Sequence, residues 1–356
     1  MTLPDALVLV HDRTVGGGAE LALLAILAQC RDWGMETHLV TGRPGELHGR
    51  FEAATDRRLV VPFRYRRQPA SWLRLPRFLK EGRRFVAAAP ERRVVWAGDV
   101  YDLWAASKLG PAVSQFQGEF DFDSDASLRK WRKYGARRAA RLVASRPVAA
   151  FAAGRGMRVH ALDPRVDAER FAALPPRDEL RRRFGLAPED RMCLCVGRLD
   201  EAKGQPWLLE RFLAHPTLPK EWRLWFAGTA TGADAARFRA APTCVRWLGW
   251  RDDVPELMRA ADLMVLPGTF MESFSMVCAE SLLAGTPLLA LDTGALPRVH
   301  PLPELRAPPA ERARLLDLWA ALTRERLASV RERWAPRDAY DAARWQADLR
   351  AAIAGA

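Results

Sequence analysis

The segment Leu263–Ala284, LMVLPGTFMESFSMVCAESLLA, contains in succession a short apolar run, a Pro-Gly loop and a helical pattern. The run Leu263–Leu266 predicts a buried strand, and the residues from Phe274 or Ser275 onward predict a helix. A strand that leads through a loop into a helix is the repeating unit of parallel sheets with crossover helices. The segment therefore predicts a doubly wound α/β fold.

The same alternation runs along the whole chain. Further strands are predicted in the first half at Ala6–Val10, Glu36–Thr41, Arg58–Val61, Val94–Ala97, Ala112–Phe116, Arg141–Ala144 and Arg158–Leu162, and in the second half at Met192–Val196, Trp222–Ala227, Val245–Leu248 and Pro287–Leu291. Two such series predict two Rossmann-like domains, with a ligand cleft where the carboxyl ends of both sheets face each other. We place the first domain at residues 1–165 and the second at 166–335, and expect a C-terminal helix, about 336–356, to pack back on the first.

The 356 residues suit two domains of roughly 150–200 residues, and the two halves differ in charge. Residues 1–165 hold 28 Lys and Arg against 17 Asp and Glu, whereas the remainder of the chain is nearly neutral. A basic half is compatible with nucleic acid, anionic lipid or an anionic substrate, and also with an arginine-rich composition that binds nothing. We expect no nucleic-acid partner.

The sequence contains neither a secretory signal nor a run of roughly 20 apolar residues that would span a membrane. Five scattered cysteines include Cys193 and Cys195 in a predicted buried strand, and no metal-ligand spacing accompanies them. We expect small core residues at these two positions and no metal site. The predicted location is cytoplasmic, either free or attached peripherally to the inner face of the cell membrane.

Two carboxylates, Glu272 and Glu280, are separated by seven residues across the loop and the start of the predicted helix. The free N–H groups at a helix start bind anions such as a diphosphate. Glu272 can accept hydrogen bonds from sugar hydroxyls beside that phosphate, and Glu280 can accept them from a ribose diol. Spacing alone is also compatible with a helix that carries one solvent-facing Glu.

Cations follow the first strand of the second domain, in the stretch VGRLDEAKG at 196–204. Arg198 and Lys203 offer a bidentate and a point-charge partner to a pyrophosphate. Loss of a nucleoside diphosphate requires stabilisation of its charge, which cations and helix N–H groups can supply in place of a metal.

At these residues the chain resembles the retaining family-four glycosyltransferases of the GT-B fold, or glycosyl transferases group 1. The resemblance spans residues 7 to about 297 and is carried, in order, by Gly17-Gly18-Ala19-Glu20, Val166–Phe171, Val196–Leu199 with Lys203-Gly204, Leu248-Gly249-Trp250, Ala261–Leu263 with Leu266-Pro267, the Glu272/Glu280 pair and Ala284–Pro287. It implies two Rossmann-like domains and transfer of a hexose from a nucleotide diphosphate-sugar. UDP-sugar is favoured over GDP-mannose, no cofactor is required, and the acceptor is a cell-envelope saccharide or lipid or a small molecule.

The resemblance also implies roles for individual residues. Arg198 and Lys203 grip the donor diphosphate, Glu272 contacts the transferred sugar, and Glu280 holds the ribose. The donor oxygens are expected against the backbone of Phe274, Ser275 and Met276 and against the first-domain loop at Gly17 and Gly18. The nucleobase of the donor is expected near residues 248–253. Retention by front-face attack requires no protein nucleophile.

The first domain departs from the family pattern, in which many members carry a His that touches the donor sugar. The corresponding stretch has Gln117 and Glu119, either of which could substitute as a hydrogen-bond partner. His11 lies near the expected cleft, where a core or solvent role is as compatible as a site role. Asp121 and Asp123 form an Asp-x-Asp of the kind that binds a metal-nucleotide in another transferase fold, but an acidic surface loop is the preferred interpretation here.

Basic, aromatic-bearing stretches complete the first domain. One contains Trp72 and Phe78 with the cations Arg74, Arg77, Lys80, Arg83 and Arg84, and another centres on Trp131. They are typical either of a helix that inserts aromatic residues into an anionic membrane surface or of solvated helices whose aromatic face packs on the sheet. Two alternatives to a transferase stay open: a nucleotide-sugar epimerase of the same fold, and a basic binding protein without catalysis.

Overall fold

The computed structural model describes residues 2–354 except 15–16, 63–68, 100–101, 118–121, 123, 135–138 and 336–339. The chain divides into two compact units, the first comprising Met1–Arg165 with Asp341–Ala356 and the second Val166–Tyr340. Within the described ranges, no helix is long and apolar enough to cross a membrane.

Strands and helices alternate in both units. The strands are β1 Ala6–Arg13, β2 Glu36–Arg43, β3 Arg57–Val60, β4 Arg93–Ala97, β5 Ala112–Phe116, β6 Ala139–Ala144, β7 His160–Ala161, β8 Met192–Val196, β9 Arg223–Ala227, β10 Val245–Trp247, β11 Leu263–Leu266, β12 Leu288–Leu291 and β13 Arg306–Ala307. The helices are α1 Gly18–Asp32, α2 His48–Ala53, α3 Pro69–Ala87, α4 Leu103–Ala106, α5 Ala126–Tyr134, α6 Arg146–Ala153, α7 Ala168–Ala172, α8 Arg177–Arg183, α9 Gln205–Ala214, α10 Leu218–Glu221, α11 Gly232–Arg239, α12 Val254–Ala260, α13 Met276–Ala284, α14 Leu296–Val299, α15 Arg314–Ala320, α16 Arg324–Arg333 and α17 Ala342–Ala354.

Each unit contains one parallel sheet. The first sheet has the order β3-β2-β1-β4-β5-β6-β7, and the second has the order β10-β9-β8-β11-β12-β13. The order reverses between β1 and β4 in the first unit and between β8 and β11 in the second. Ligands of doubly wound sheets bind outside the carboxyl ends of the strands at such a switch point. The two switch points are therefore the places to search for a site.

Both faces of the first sheet are covered. Side chains alternate along β1, so that Leu7 and Leu9 belong to one buried cluster and Val8 and Val10 to another. The first cluster includes Leu349 of α17, which places the C-terminal helix against the first sheet. Strands that are buried on both faces have continuous apolar sequences, which explains why the runs were visible in the sequence.

The core of the second unit surrounds β8. Cys193 and Cys195 are fully buried there with free thiols, which confirms the prediction of small core residues. Burial raises the pKa of both thiols. Neutral, inaccessible thiols carry no chemistry, so these cysteines serve packing alone.

Phe78 of α3 decides between the two interpretations of this basic helix at its own position. It is fully buried in the cluster that contains Val8 and Val10, so its packing on the sheet is confirmed and its insertion into a membrane interface is wrong. An amphipathic helix has one apolar face, and the sheet already occupies that of α3 at this position. Trp131 of α5 is likewise fully buried and donates to Ser114 Oγ at 3.2 Å. The side chain of Trp72 lies outside the described part of the helix.

Candidate functional site

The loop after β8 carries the two predicted cations of the second unit. Arg198 is 54% exposed and lies 3.4 Å from Asp200 Oδ2. Asp200 also accepts the backbone N–H of Lys203 at 2.8 Å, which closes the loop before α9. The loop therefore presents one cation to solvent and holds the backbone of the other in place.

Lys203 and Glu272, which are far apart in the sequence, meet at the switch point of the second sheet. Lys203 Nζ lies 2.7 Å from Glu272 Oε1 and 3.9 Å from the centre of the Phe270 ring. Both charged side chains are about three-quarters buried, at 24% and 22% exposure. An ion pair that keeps about a quarter of its surface exposed can exchange partners when an anionic ligand arrives.

Glycines allow the two loops to touch backbone to backbone. Gly204 has φ +81°, and a Cβ there would lie 2.6 Å from the carbonyl oxygen of Pro267. A Cβ on Gly268 would lie 2.9 Å from the carbonyl oxygen of Lys203. Since real Cβ atoms do not approach so closely, a side chain at either position would push apart the loops that carry Lys203 and Glu272.

The start of α13 lies next along the chain from Glu272. Ser275, its N-cap, has φ 78°, and within the described residues it is the single non-glycine residue with positive φ. Its side chain is buried, and its Oγ has no hydrogen-bond partner among the described residues. Strain and an unsatisfied buried hydroxyl at a helix N-terminus both indicate a ligand site.

This backbone geometry corrects the predicted helix start. A residue with positive φ cannot belong to a right-handed helix, so α13 begins at Met276 and not at Phe274 or Ser275. Phe274 is buried and Met276 half-buried. The first N–H groups of the helix still have no partner within the helix, so they can bind an anion.

The second predicted carboxylate, Glu280, lies one turn further along α13 and is half-buried. Burial raises its pKa from 4.5 to about 7, against the opposing effect of the Arg170 guanidinium. Arg170 also donates to the carbonyl oxygen of Asp252 at 2.6 Å, within the segment 248–253 that was assigned to the base. Glu280 thus changes charge near neutral pH.

The first-domain loop is described from Gly17 onward. Gly17 precedes α1, and a Cβ on it would lie 2.6 Å from Glu20 Oε2. Gly18 is the first residue of α1. The glycine at position 17 therefore makes room for the carboxylate of Glu20, a contact that the sequence analysis did not foresee.

That carboxylate belongs to a buried charged cluster at the switch point of the first sheet. His11 Nδ1 lies 2.8 Å from Asp102 Oδ2, and His11 Nε2 lies 3.5 Å from Glu20 Oε1. The two carboxylates raise the pKa of His11 to about 10 although burial opposes the charge. The imidazole is therefore a buried cation between two anions. His11 stood out in the sequence, but its partners did not, since Asp102 lies 91 residues away.

The substitutes for the missing family His are only partly described. Gln117 is half-buried, and its Nε2 has no hydrogen-bond partner in the described part of the chain. Glu119, Asp121 and Asp123 lie outside the described residues. Within the ranges that are described, no three His, Cys, Asp or Glu side chains form a group that could hold a metal ion.

Comparison with known proteins shows which family part of the second unit is similar to. Residues 190–317 match the model of the glycosyl transferases group 1. A D-inositol 3-phosphate glycosyltransferase of Xylanimonas cellulosilytica is 34% identical over 155 residues, which are 39% of this chain and 36% of that protein. The lipopolysaccharide core biosynthesis mannosyltransferase LpsB of Rhizobium meliloti is 29% identical over 139 residues, covering 36% and 39% of the two chains. The matches thus span well under half of these relatives.

Solved structures resemble the chain over its whole length. Anabaena HepE in complex with UDP-glucose superimposes with a TM-score of 0.73 at 19% identity, covering 99% of this chain and 100% of the other. WaaG, a glycosyltransferase involved in lipopolysaccharide biosynthesis, has a TM-score of 0.65 at 17% identity and covers 98% and 95%. At these identities the likeness establishes the fold, which is GT-B.

Proposed function

We propose that this protein is a retaining hexosyltransferase that uses a UDP-sugar, because residues 190–317 match the glycosyl transferases group 1 and the chain has the GT-B fold. The observation that carries the proposal is the Lys203–Glu272 ion pair at the switch point of the second sheet. One cation for a diphosphate and one carboxylate for sugar hydroxyls lie side by side there, next to the start of α13.

Donor binding in this proposal is an exchange of partners. The diphosphate takes Lys203 from Glu272 and also meets Arg198 and the first N–H groups of α13. Glu272, freed from its lysine, accepts hydrogen bonds from the hexose hydroxyls. Glu280 accepts from the ribose, and the backbone of Phe274 and Met276 borders the phosphate and sugar oxygens.

Chemistry then requires stabilisation of the leaving diphosphate. The bond between the anomeric carbon and the phosphate oxygen breaks while the acceptor oxygen bonds to the same face of that carbon. The acceptor proton passes to the leaving phosphate oxygen, so no protein nucleophile is needed. Arg198, Lys203 and the helix dipole of α13 supply the positive field, and we therefore propose that no metal is required.

Two features bear on the donor. HepE, whose fold this chain shares, has been crystallised with UDP and with UDP-glucose, which supports a UDP-sugar. The similarity to a mannosyltransferase keeps a mannosyl donor, and hence GDP-mannose, as the second choice. A thermal-shift screen of nucleotide-sugars tests the donor directly, because a bound ligand stabilises the folded state in proportion to occupancy. We expect stabilisation by UDP-sugars and not by GDP-mannose. The reverse result would identify GDP-mannose as the donor.

The positive charge of the first unit favours an acceptor that is anionic or lies at an anionic surface. Arg77, Lys80, Arg83 and Arg84 of α3 are exposed, while Phe78 between them faces the core. We propose that this surface holds the protein on an anionic membrane or meets a phosphorylated acceptor, at roughly 1 kcal/mol per well-placed cation. Co-sedimentation with anionic but not neutral liposomes, lost when these four residues are changed to Gln, tests the membrane form. If the wild type ignores anionic vesicles at low salt, a small-molecule acceptor is favoured.

Two rival functions make different predictions in one assay. A transferase releases UDP only when an acceptor is present, whereas a nucleotide-sugar epimerase converts the sugar without an acceptor. A binding protein that has lost catalysis would bind the nucleotide-sugar and release nothing with any envelope acceptor. Acceptor-dependent UDP release is the expected result.

A further inference from the structure

Arg312 contacts both loops of the candidate site from a distant part of the chain. It follows a 3-10 turn at Pro309–Glu311. Its Nε donates to the carbonyl oxygen of Pro267 at 2.9 Å, and its Nη2 donates to that of Gly204 at 3.4 Å. The guanidinium also stacks on the Trp207 ring at 4.1 Å.

The two acceptor carbonyls lie where the site is assembled. Gly204 directly follows Lys203, and Pro267 begins the loop that carries Glu272. A Cβ on Gly204 would lie 2.1 Å from Arg312 Nη2, so the glycine leaves the space that the guanidinium fills. One planar group therefore joins the lysine loop to the glutamate loop.

Burying this cation costs free energy, which indicates that its contacts serve a structural or functional role. Desolvation lowers the pKa of Arg312, and Glu201 opposes the effect only through space. Its hydrogen bonds to Pro267 and Gly204 go to carbonyl oxygens, which stabilise a cation less than a carboxylate would. The exposed Arg314, two residues later, instead has an ordinary surface partner in Glu311 at 3.2 Å.

We propose that Arg312 is a positioning residue for the donor diphosphate, because it fixes the separation of the two loops and hence of Lys203 and Glu272. The inference rests on the proposed function, since it assigns Arg312 to the same site. Arg312 acts through Lys203 and does not touch the donor. An arginine suits this role because its rigid planar fork spans two carbonyls while its face stacks on an indole, and a lysine has no planar group that combines the two.

The experiment measures the binding of UDP and of uridine, and of GDP and guanosine in parallel, to the full-length protein by calorimetry or NMR titration. Arg312→Ala is expected to weaken nucleoside diphosphate binding about tenfold or more and to leave nucleoside binding unchanged, because only the diphosphate depends on Lys203. Arg312→Lys should weaken it almost as much. The matched control Arg314→Ala should bind like the wild type.

A double variant separates positioning from a general loss of structure. If Arg312 acts through Lys203, adding Arg312→Ala to Lys203→Ala weakens diphosphate binding no further. Equal losses for nucleoside and diphosphate, full additivity, or unchanged binding by Arg312→Ala would each overturn the inference. A wild type that binds neither UDP nor GDP would instead overturn the proposed function itself, so the two failures are distinguishable.

Discussion

The switch points of the two sheets have the same topology but use their charged residues in opposite ways. In the first unit, the side chains of His11, Asp102 and Glu20 are at most 12% exposed, and the imidazolium of His11 pairs with both carboxylates. In the second unit, Arg198 is 54% exposed and Lys203 and Glu272 keep about a quarter of their surface. Charges satisfied inside the protein stabilise the fold, and charges at the surface are available for a ligand.

This difference in exposure predicts different roles for the His11 cluster of the first unit and the Lys203–Glu272 pair of the second. Removing a member of the first cluster should reduce stability before it affects activity. Removing a member of the second should reduce activity with little effect on stability. The predictions that follow test this division, beginning with the largest expected effect.

The largest effect is expected at His11. His11→Leu leaves Asp102 and Glu20 as buried carboxylates without their cation, and breaking a buried pair in this way costs about 3–5 kcal/mol. Chemical denaturation followed by fluorescence should show this loss in the transition of the first unit. A variant as stable as the wild type would mean that the cluster does not stabilise the fold.

The pH profile of the same variant supplies a control. The folded-state pKa of His11 is raised from 6.5 to about 10, so its contribution to stability is complete below pH 6.5 and is lost as pH rises toward 10. In that window the wild type should lose up to about 1.4 kcal/mol per pH unit relative to His11→Leu. Parallel stability curves for the two proteins would argue against a charged imidazole.

The second largest effect concerns activity. Lys203→Ala and Glu272→Ala should each lower kcat/KM by at least ~10²-fold, a loss of about 2.7 kcal/mol in transition-state stabilisation. Both should melt near the wild-type temperature, because neither residue belongs to the buried core. Lys220→Ala, which removes an exposed lysine of α10, is the matched control. Activity within threefold of wild type in either site variant would mean that the site lies elsewhere.

A smaller effect is expected from Glu280. Its pKa of about 7 means that the carboxylate ionises as pH rises through neutrality, and only the ionised form accepts hydrogen bonds from both ribose hydroxyls. UDP-glucose should therefore bind roughly three- to tenfold more tightly at pH 8 than at pH 6. Calorimetry on Glu280→Gln should show this dependence abolished, and a dependence that persists in the variant would assign it to another group.

The smallest expected effect is that of a chelator. If Arg198, Lys203 and α13 supply the positive field, excess EDTA should leave kcat within twofold of its untreated value. Abolition of activity with rescue by Mn²⁺ or Mg²⁺ would contradict this and favour Asp121 and Asp123 as metal ligands.

The fold and much of the second unit could be predicted from the sequence, because short apolar runs between loop residues mark buried parallel strands. The strands at 112–116, 192–196 and 263–266 have the predicted bounds. The GT-B fold is confirmed, and residues 190–317 match the model of the glycosyl transferases group 1, the family that the chain was predicted to resemble. These features depend on local patterns, which a sequence displays directly.

The contacts that could not be predicted join residues that are distant in the chain. Asp102 lies 91 residues from His11, and Arg312 lies 108 residues from Gly204. The position of Phe78 stayed open between two interpretations, because an amphipathic pattern does not say whether its apolar face meets a sheet or a membrane. The left-handed conformation of Ser275 was missed because no local rule favours it for serine.

The decisive measurement is a crystal structure of the protein with UDP-glucose. We expect the diphosphate within hydrogen-bond distance of Lys203 Nζ and the first N–H groups of α13, and the hexose hydroxyls on Glu272. The 2.7 Å contact between Lys203 and Glu272 should be broken. A nucleotide bound elsewhere, with that ion pair intact, would contradict it.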